Sequence, residues 1–244
     1  MDARFVHHPV NISVIIPTLN EAETIATTVR LTANLGFDEI IVVDGGSTDQ
    51  TGGIVDSVLA RSQHSTLGTI RLLAAPRGRA RQLNAGAQAA HGDVLLFLHA
   101  DTHLPPAAKS SIAAALADGT TVGGRFDVQF DRPSVWSYLI GSLMNLRSRA
   151  TGISTGDQAL FVRKKVFEEL GGFADIPLME DVDFSARLKR RGQTVALYDR
   201  VITSFRRWER RGPLRTILLM WALRLLYWIG VSPHRLANLY PQAR

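Results

Sequence analysis

Two acidic residues in this chain come directly after apolar runs that are typical of buried strands. Asp44 follows residues 39–43 (EIIVV), and Asp101 follows residues 94–98 (VLLFL), with His99 two residues before it. Ligands of open α/β sheets bind in the crevice outside the carboxyl ends of the strands. We therefore expect the two carboxylates to face one crevice, where Asp44 could accept hydrogen bonds from a nucleobase or a ribose hydroxyl.

His99 and Asp101 could together hold a divalent cation. Mg²⁺ binds one or two protein carboxylates and completes its shell with phosphate oxygens and water, whereas Mn²⁺ also accepts an imidazole ligand. A simpler interpretation stays open at both strand ends: Asp101 caps the next turn, His99 is an ordinary hydrogen-bonded histidine, and Asp44 begins a capped turn before a helix.

A third acidic motif, residues 180–183 (EDVD), stands where a helix is expected to begin. Mutual repulsion in a partly dry cleft raises carboxylate pKa values, which suits a general base, and Asp181 is the candidate. The alternative is that the helix dipole simply tolerates acids at this end. Gly156, Asp157 and Gln158 follow a loop of small residues and either line the same site or form a plain turn.

Three arginines cluster at the expected start of another helix: Arg77, Arg79 and Arg81. Cations near a helix N-terminus oppose the helix dipole, so a bound anion would relieve them, and arginine binds phosphate through two parallel hydrogen bonds. On charge alone, we expect Arg79 and Arg81 to reach a nucleotide; the alternative is a solvated basic turn. The small residues around Asn84 and Gly86 predict that this helix packs very closely against its neighbours.

The elements that position these residues alternate regularly in the first half of the chain. From residue 12 to residue 116, short aliphatic runs alternate with helical segments, and the first helix is expected to start at Asn20, with Glu23 three residues on. Nearly continuous apolar strands that alternate with helices predict an α/β fold whose mostly parallel sheet is covered by helices on both faces.

The pattern changes after residue 122, but no linker interrupts it. We therefore expect one catalytic domain over residues 1–204, with a nucleotide-binding half at about residues 10–120 and an acceptor half at about residues 121–204. A basic, apolar helical tail follows over residues 205–244.

Composition excludes several classes of protein. The chain has 244 residues, 45% of them hydrophobic and 20% charged, and no cysteine, which rules out disulfides, iron–sulfur clusters and thiolate zinc sites. Residues 1–11 contain no apolar core of a signal peptide. We expect a cytoplasmic protein, either free or peripheral on the inner face of the cell membrane.

The tail carries most of the positive charge. The net charge is +6, and the segment from Arg200 onward holds nine arginines and one acidic residue, which leaves −2 for residues 1–199. Residues 214–231 are too short an apolar stretch for a membrane span, which needs ~20 residues. Tryptophans and flanking arginines are typical of a helix that lies on an anionic membrane surface. The alternative is a core or dimer helix, and nucleic acid is not expected to be a partner because no groove-reading motif is present.

Five motifs taken together resemble the family-2 glycosyltransferases, over roughly residues 12–201. They are residues 17–21 (PTLNE), 43–49 (VDGGSTD), 84–86 (NAG), 99–101 (HAD) and 180–181 (ED). The resemblance implies a GT-A nucleotide-sugar-binding fold and transfer of a sugar from a nucleoside diphosphate, with UDP favoured. The acceptor would be a hydroxyl group, which could belong to a lipid.

The resemblance also assigns residues to the donor. Pro17, Glu21 and Asp44 would line the nucleobase and ribose pocket, and Asp101 would bind the cation that bridges the diphosphate. The family usually has Asp-x-Asp, and this chain has His99 at the first position, so the imidazole would favour Mn²⁺ over Mg²⁺.

On the transfer side, Asp181 matches the catalytic base of an inverting reaction, and Glu180 would support it near the acceptor. Gly156, Asp157 and Gln158 would lie near the transferred sugar.

Two other functions are alternatives to sugar transfer. A sugar-nucleotide nucleotidyltransferase shares a similar nucleotide-binding half, but it would need a glycine-rich loop with a lysine where residues 17–21 stand. A non-catalytic protein docked on a membrane through the tail would have no reason to retain all the acidic motifs.

Overall fold

The computed structural model describes residues 10–62 and 68–240, so the expectations for residues 1–9 and for the last four residues of the tail lie outside the described residues. Eight strands form one sheet in the order β3-β2-β1-β4-β7-β6-β8-β5. The strands are β1 (Ile12–Thr18), β2 (Glu39–Asp44), β3 (Thr69–Ala74), β4 (Val94–Phe97), β5 (Thr102–His103), β6 (Thr121–Phe130), β7 (Phe161–Arg163) and β8 (Gln193–Thr203).

The sheet is mixed and mostly parallel, as the sequence predicts. Strand β1 pairs in parallel with β2 on one side and with β4 on the other, and β2 pairs in parallel with β3. Strand β7 is antiparallel to both β4 and β6, while β6 and β8 are parallel. The central strands β1, β2 and β4 are buried along nearly their whole length, which explains why their sequences are mostly apolar.

Helices cover both faces of the sheet. Alternate residues of a strand point to opposite faces, and in β1 Val14 and Ile16 join one core cluster while Ile15 joins another. The helices are α1 (Ile25–Ala33), α2 (Thr51–Ser62), α3 (Arg79–Ala89), α4 (Ala108–Leu116), α5 (Val135–Thr151), α6 (Lys164–Glu169), α7 (Glu180–Arg191), α8 (Arg206–Arg211), α9 (Pro213–Trp228) and α10 (Pro233–Leu239). The first cluster takes in α1, α2 and α4, and the second takes in α3, α6 and α7.

Helix α3 lies very close to the sheet because Gly86 has no side chain. A Cβ atom at this position would lie 2.5 Å from Ile15 Cγ2 and 3.0 Å from Val43 Cγ2. On the same helix, the Asn84 amide donates a hydrogen bond of 2.8 Å to the Phe173 carbonyl. The close packing that the small residues predict is therefore present, and it fixes the start of α3 at the carboxyl end of the sheet.

The first helix begins later than the sequence predicts. Asn20 does not cap it; α1 starts at Ile25, and Asn20 has a positive φ of 54°. The Asn20 side-chain oxygen instead accepts a 2.8 Å hydrogen bond from the backbone N–H of Thr48. Asparagine tolerates this left-handed backbone, so the residue ties the loop after β1 to the loop after β2.

The tail packs against the rest of the protein. Phe205 packs with Phe130 of β6 and Ile140 of α5, while Leu223 of α9 and Leu236 of α10 form a buried cluster with Met179. No helix in the described part of the chain combines the length and the hydropathy that crossing a bilayer requires.

Candidate functional site

A cleft of about 880 Å³ opens at the carboxyl ends of β1 and β4. One wall is the loop that follows β1, and another is the start of α3. Residues of α8 and α10 close a further side, among them Arg206, Trp208 and Tyr240. The cleft is therefore built jointly by the sheet edge and the tail.

The predicted site residues divide into two groups. Those that line the cleft are Pro17, Glu21, Arg79, His99, Asp101, Asp157 and Glu180. Those that are not part of its lining are Asp44, Arg81, Gly156, Gln158 and Asp181.

His99 and Asp157 face each other inside the site. His99 Nδ1 lies 3.1 Å from Asp157 Oδ1. Burial by itself would raise the pKa of Asp157, but the hydrogen bond from His99 and the charges of His99, Arg207 and Arg79 outweigh it and hold this pKa well below its usual range. Asp157 is therefore a fixed negative charge in the wall of the cleft.

Gly156 leaves room for the imidazole. A Cβ atom at Gly156 would lie 2.3 Å from His99 Nε2. His99 Nε2 thus lies close to the backbone of Gly156, while Nδ1 faces Asp157. His99 therefore packs against residues 156 and 157.

Glu180 is a buried carboxylate paired with Arg79. It begins α7 and is 3% exposed, and its Oε1 lies 3.3 Å from Arg79 Nη1. Burial raises the pKa of Glu180, the nearby charge of Asp181 adds to the rise, and Arg79 opposes it. The predicted closeness of the two acids is therefore present, and burial is the larger cause of the shift.

Asp181 is held by two backbone N–H groups. Its Oδ2 accepts a 2.7 Å hydrogen bond from Gly156, and its Oδ1 accepts one of 2.7 Å from Val182. These bonds fix the carboxylate beside the turn that carries Asp157. The structure therefore brings residues 156–157 and 180–181 together, although they come from different parts of the chain.

One cation from the tail holds two carboxylates of the cleft. Arg206 Nη2 lies 2.7 Å from Glu21 Oε1 and 2.6 Å from Glu21 Oε2, and it also lies 3.2 Å from Asp101 Oδ2. Sequence reasoning missed Arg206 because it assigned the basic tail to a membrane surface or to a core or dimer helix, and not to the site. The only signal in the sequence was the excess of arginine after Arg200.

Asp44 and Arg81 are engaged outside the cleft. Asp44 Oδ2 accepts a 3.0 Å hydrogen bond from the backbone N–H of Ser47, within its own turn. Arg81 Nε donates to Asp175 Oδ1 at 2.9 Å, in an exposed ion pair. Arg79 and Arg81, which the sequence treats alike, thus occupy different surfaces.

The donor set around Asp101 suits a cation that is held mostly by its substrate. Within residues 10–62 and 68–240, no three His, Cys, Asp or Glu side chains form a group able to hold a metal. Asp101 offers a carboxylate, and His99 faces Asp157 instead. One carboxylate is enough for Mg²⁺ or Mn²⁺ when phosphate oxygens and water supply the other ligands, so the residues fit a cation bound together with a diphosphate.

Comparison with known proteins identifies the family. The sequence model described as "Glycosyl transferase family 2" matches residues 13–171, more than half of the chain. The chain belongs to glycosyl transferase family 2. The matched region contains β1 to α6 and thus most of the cleft, while α7 and the tail lie beyond it.

Other glycosyltransferases are similar to this chain in sequence or in fold. A probable glycosyltransferase of Bacillus subtilis, YdaM, is 27% identical over 214 residues, which are 81% of this chain and 50% of YdaM. The mannosyltransferase PcManGT of Pyrobaculum calidifontis, solved with GDP-Man and Mn²⁺, superposes with a TM-score of 0.65 at 24% identity, over 97% of this chain and 66% of that one. TarS of S. aureus, residues 1–349, gives 0.62 at 20% identity, over 80% and 60%. The fold is that of the GT-A glycosyltransferases, and the chain spans about half the length of the curated relative.

Proposed function

We propose that this protein transfers a sugar from a nucleoside diphosphate sugar to a hydroxyl acceptor, with inversion at the anomeric carbon. The observation that carries the proposal is the cleft itself, which gathers Glu21, Asp101, Arg79 and Glu180 at the carboxyl edge of a family-2 glycosyltransferase sheet. Acids and cations at one strand-end crevice are what a sugar nucleotide needs.

Asp181 is the general base of the proposed reaction. It accepts the proton of the acceptor hydroxyl while that oxygen attacks the anomeric carbon in line with the departing diphosphate. Its two backbone hydrogen bonds hold the carboxylate in one orientation, which a base needs in order to meet the proton. Glu180, buried behind it, holds Arg79 in the cleft wall.

Charge develops on the diphosphate as the sugar leaves. Arg79 and Arg207 line the cleft and would stabilise this charge. A divalent cation at Asp101, when bound, would neutralise the same charge as a Lewis acid. We favour Mn²⁺ or Mg²⁺ and a uridine donor, and relatives of this fold have been solved with GDP-Man and Mn²⁺ and with UDP-GlcNAc.

Hydrolysis of sugar nucleotides without an acceptor tests the proposal. The protein should release nucleoside diphosphate slowly from one member of a panel of UDP- and GDP-sugars in the presence of Mn²⁺. A nucleotidyltransferase would instead cleave between the two phosphates and release a nucleoside monophosphate and a sugar 1-phosphate, and a non-catalytic binding protein would release nothing. Either of these results would refute sugar transfer.

Asp101→Ala should weaken cation-dependent binding of the donor. A charged contact is worth roughly tenfold to a hundredfold in affinity, so calorimetry with the donor and Mn²⁺ should show a loss of that size. A chelator should lower donor affinity in the wild type and have little further effect in the variant. Asp175→Ala, which removes an exposed carboxylate outside the cleft, is the matched control. An equal response of Asp101→Ala and wild type to the chelator would contradict a role for Asp101 at the cation.

We also propose that the tail docks on an anionic membrane surface. Five large apolar side chains lie on one side of α9 at spacings of four and three residues, and each is at least 59% exposed. Exposed arginines flank them at positions 210 and 215, which suits anionic lipid better than a second protein copy. The five residues are Leu214, Leu218, Trp221, Leu225 and Trp228.

Vesicle flotation with Trp221→Gln/Trp228→Gln tests this docking. The wild type should float with vesicles that contain phosphatidylglycerol and much less with neutral vesicles, and the double variant should lose most of this binding. Both side chains are exposed, so the variant should fold normally. Leu31→Gln, at an exposed leucine of α1, is the control. Unchanged flotation of the double variant would reject the membrane as the partner. So would size-exclusion chromatography in which the wild type is a dimer and the double variant is a monomer.

A further inference from the structure

Two guanidinium nitrogens of a half-buried arginine of α5 have no hydrogen-bond partner in the described part of the chain. Arg147 Nε and Nη2 are both shielded from solvent, and neither makes a hydrogen bond. Buried polar groups in proteins are nearly always hydrogen-bonded, and a buried cation without a counter-ion is costly. Arg147 is not used by the mechanism above, so its burial needs another explanation.

A second arginine stands on α9, a helix that shares a hydrophobic cluster with α5. Arg224 of α9 is partly buried, and no hydrogen bond or ion pair of its guanidinium occurs among the described residues. Burial lowers the pKa of Arg147 to about 10, the positive charge of Arg224 adds to the fall, and Asp181 opposes it. Burial also lowers the pKa of Arg224, against the charges of Asp181 and Asp157. Leu223, the neighbour of Arg224, packs in one cluster with Met179 and Val182, so α9 lies against the start of α7, where Asp181 stands.

The helices that carry the two arginines are held together. Ile140 of α5 and Ile217 of α9 pack in one cluster with Phe130 and Phe205. The helix pair is therefore a fixed part of the fold, and each helix carries one of the two arginines seven residues, or about two turns, after its isoleucine.

We propose that Arg147 and Arg224 form a phosphate-binding subsite beside Asp181, and that the acceptor of the sugar carries a phosphate group. The role as an acceptor site depends on the proposed function, whereas phosphate binding does not. Arginine is the side chain that best matches phosphate, because its planar group donates two parallel hydrogen bonds. A phosphate at this place would pair both guanidinium groups and hold a neighbouring hydroxyl next to the base.

The surroundings suit an acceptor with an apolar part. Leu143 lies one turn before Arg147 on α5, Trp221 and Trp228 lie one turn on either side of Arg224 on α9, and all three apolar side chains are exposed. The phosphate could therefore belong to a membrane lipid or to a soluble phosphate ester. The chemistry of the subsite is the same for both.

The experiment measures the melting temperature of the full chain with inorganic phosphate and with glycerol phosphate, each against chloride at equal ionic strength. Both phosphates should raise the melting temperature of the wild type, since a ligand of the folded state stabilises it. Arg147→Gln and Arg224→Gln should each weaken phosphate binding by roughly tenfold to a hundredfold. In chloride they should melt at or above the wild-type temperature, because an unpaired buried charge has been removed. Arg190→Gln, at an exposed arginine of α7, should behave as wild type.

The outcomes separate this proposal from the function. The subsite would be overturned, even if sugar transfer is found, if phosphate does not raise the melting temperature of the wild type. It would also be overturned if phosphate raises the melting temperatures of both variants as much as that of the wild type. Phosphate binding that depends on both arginines would support it even if sugar transfer is not found. Selective loss of flotation on phosphatidylglycerol vesicles in the arginine variants would identify a lipid as the source of the phosphate. Unchanged flotation together with lost glycerol phosphate binding would identify a soluble ester.

Discussion

Asp181→Asn should lower kcat by about 10²–10⁴-fold, the usual contribution of a general base, while donor affinity stays within a few-fold of wild type. Asparagine has nearly the same shape and keeps one oxygen that can accept the Gly156 hydrogen bond. It cannot take up a proton, so the attack of the hydroxyl loses its base. Steady-state kinetics with a working acceptor, together with calorimetry of the donor, measure the two quantities separately.

Two neighbouring acids are the controls for this variant. Asp183 is in the same first turn of α7 but is paired with Arg187, so Asp183→Asn should leave kcat almost unchanged. Glu180→Gln should disturb the Arg79 pair and affect donor binding as well as kcat. A larger loss of kcat in Glu180→Gln than in Asp181→Asn would move the base to Glu180. If Asp181→Asn loses donor affinity by as large a factor as it loses kcat, Asp181 does not act in proton transfer alone.

A chain shortened to end at residue 204 should lose both donor binding and most of its stability. The cut removes Arg206, which neutralises Glu21 and Asp101, and the residues of α8 and α10 that line the cleft. It also removes Phe205, Leu223 and Leu236, each buried to more than 95% and each worth about 1.5–3 kcal/mol. Their sum is comparable with the whole stability of a typical domain, about 5–15 kcal/mol.

A single substitution tests the same dependence in a chain that still folds. Leu236→Ala removes a fully buried side chain that packs with Met179 and should lower the free energy of unfolding by about 2–5 kcal/mol. Leu239→Ala, at an exposed leucine of the same helix, should have little effect. Chemical denaturation with one cooperative transition measures both. Two results would contradict this dependence and show that the tail folds separately from the catalytic domain. One is a separate unfolding transition of the tail in Leu236→Ala, and the other is normal donor binding by the shortened chain.

The parts of the fold that sequence reasoning predicted are those with a local cause. Strands β1, β2 and β4 are buried on both faces, so their sequences are mostly apolar and easy to recognise. The start of α1 was predicted wrongly because Asn20 has all the properties of a helix cap, yet its side chain is used by Thr48 in another loop. A contact between loops leaves no periodic signal at either residue.

The residues of the candidate site also divide into those that a local sequence motif predicts and those that it does not. The strand-end acid Asp101 and the helix-start acid Glu180 could be found from motifs, and both line the cleft. Arg79 and Arg81 could not be told apart by charge, but two positions along a helix are rotated by about 200°, so one faces the cleft and the other Asp175. The contact of Arg206 with Glu21 joins residues 185 positions apart, and no local pattern predicts it.

We expect the cleft to bind the nucleotide of the sugar donor, and a crystal structure tests this most directly. The protein is crystallised in the presence of Mn²⁺ with the nucleoside diphosphate that raises its melting temperature most. We expect the nucleotide to occupy the cleft between the loop after β1 and α8, with its diphosphate next to Asp101 and its terminal phosphate directed towards Asp157 and Asp181. A nucleotide bound at any other surface, with this cleft still closed by Arg206, would contradict it.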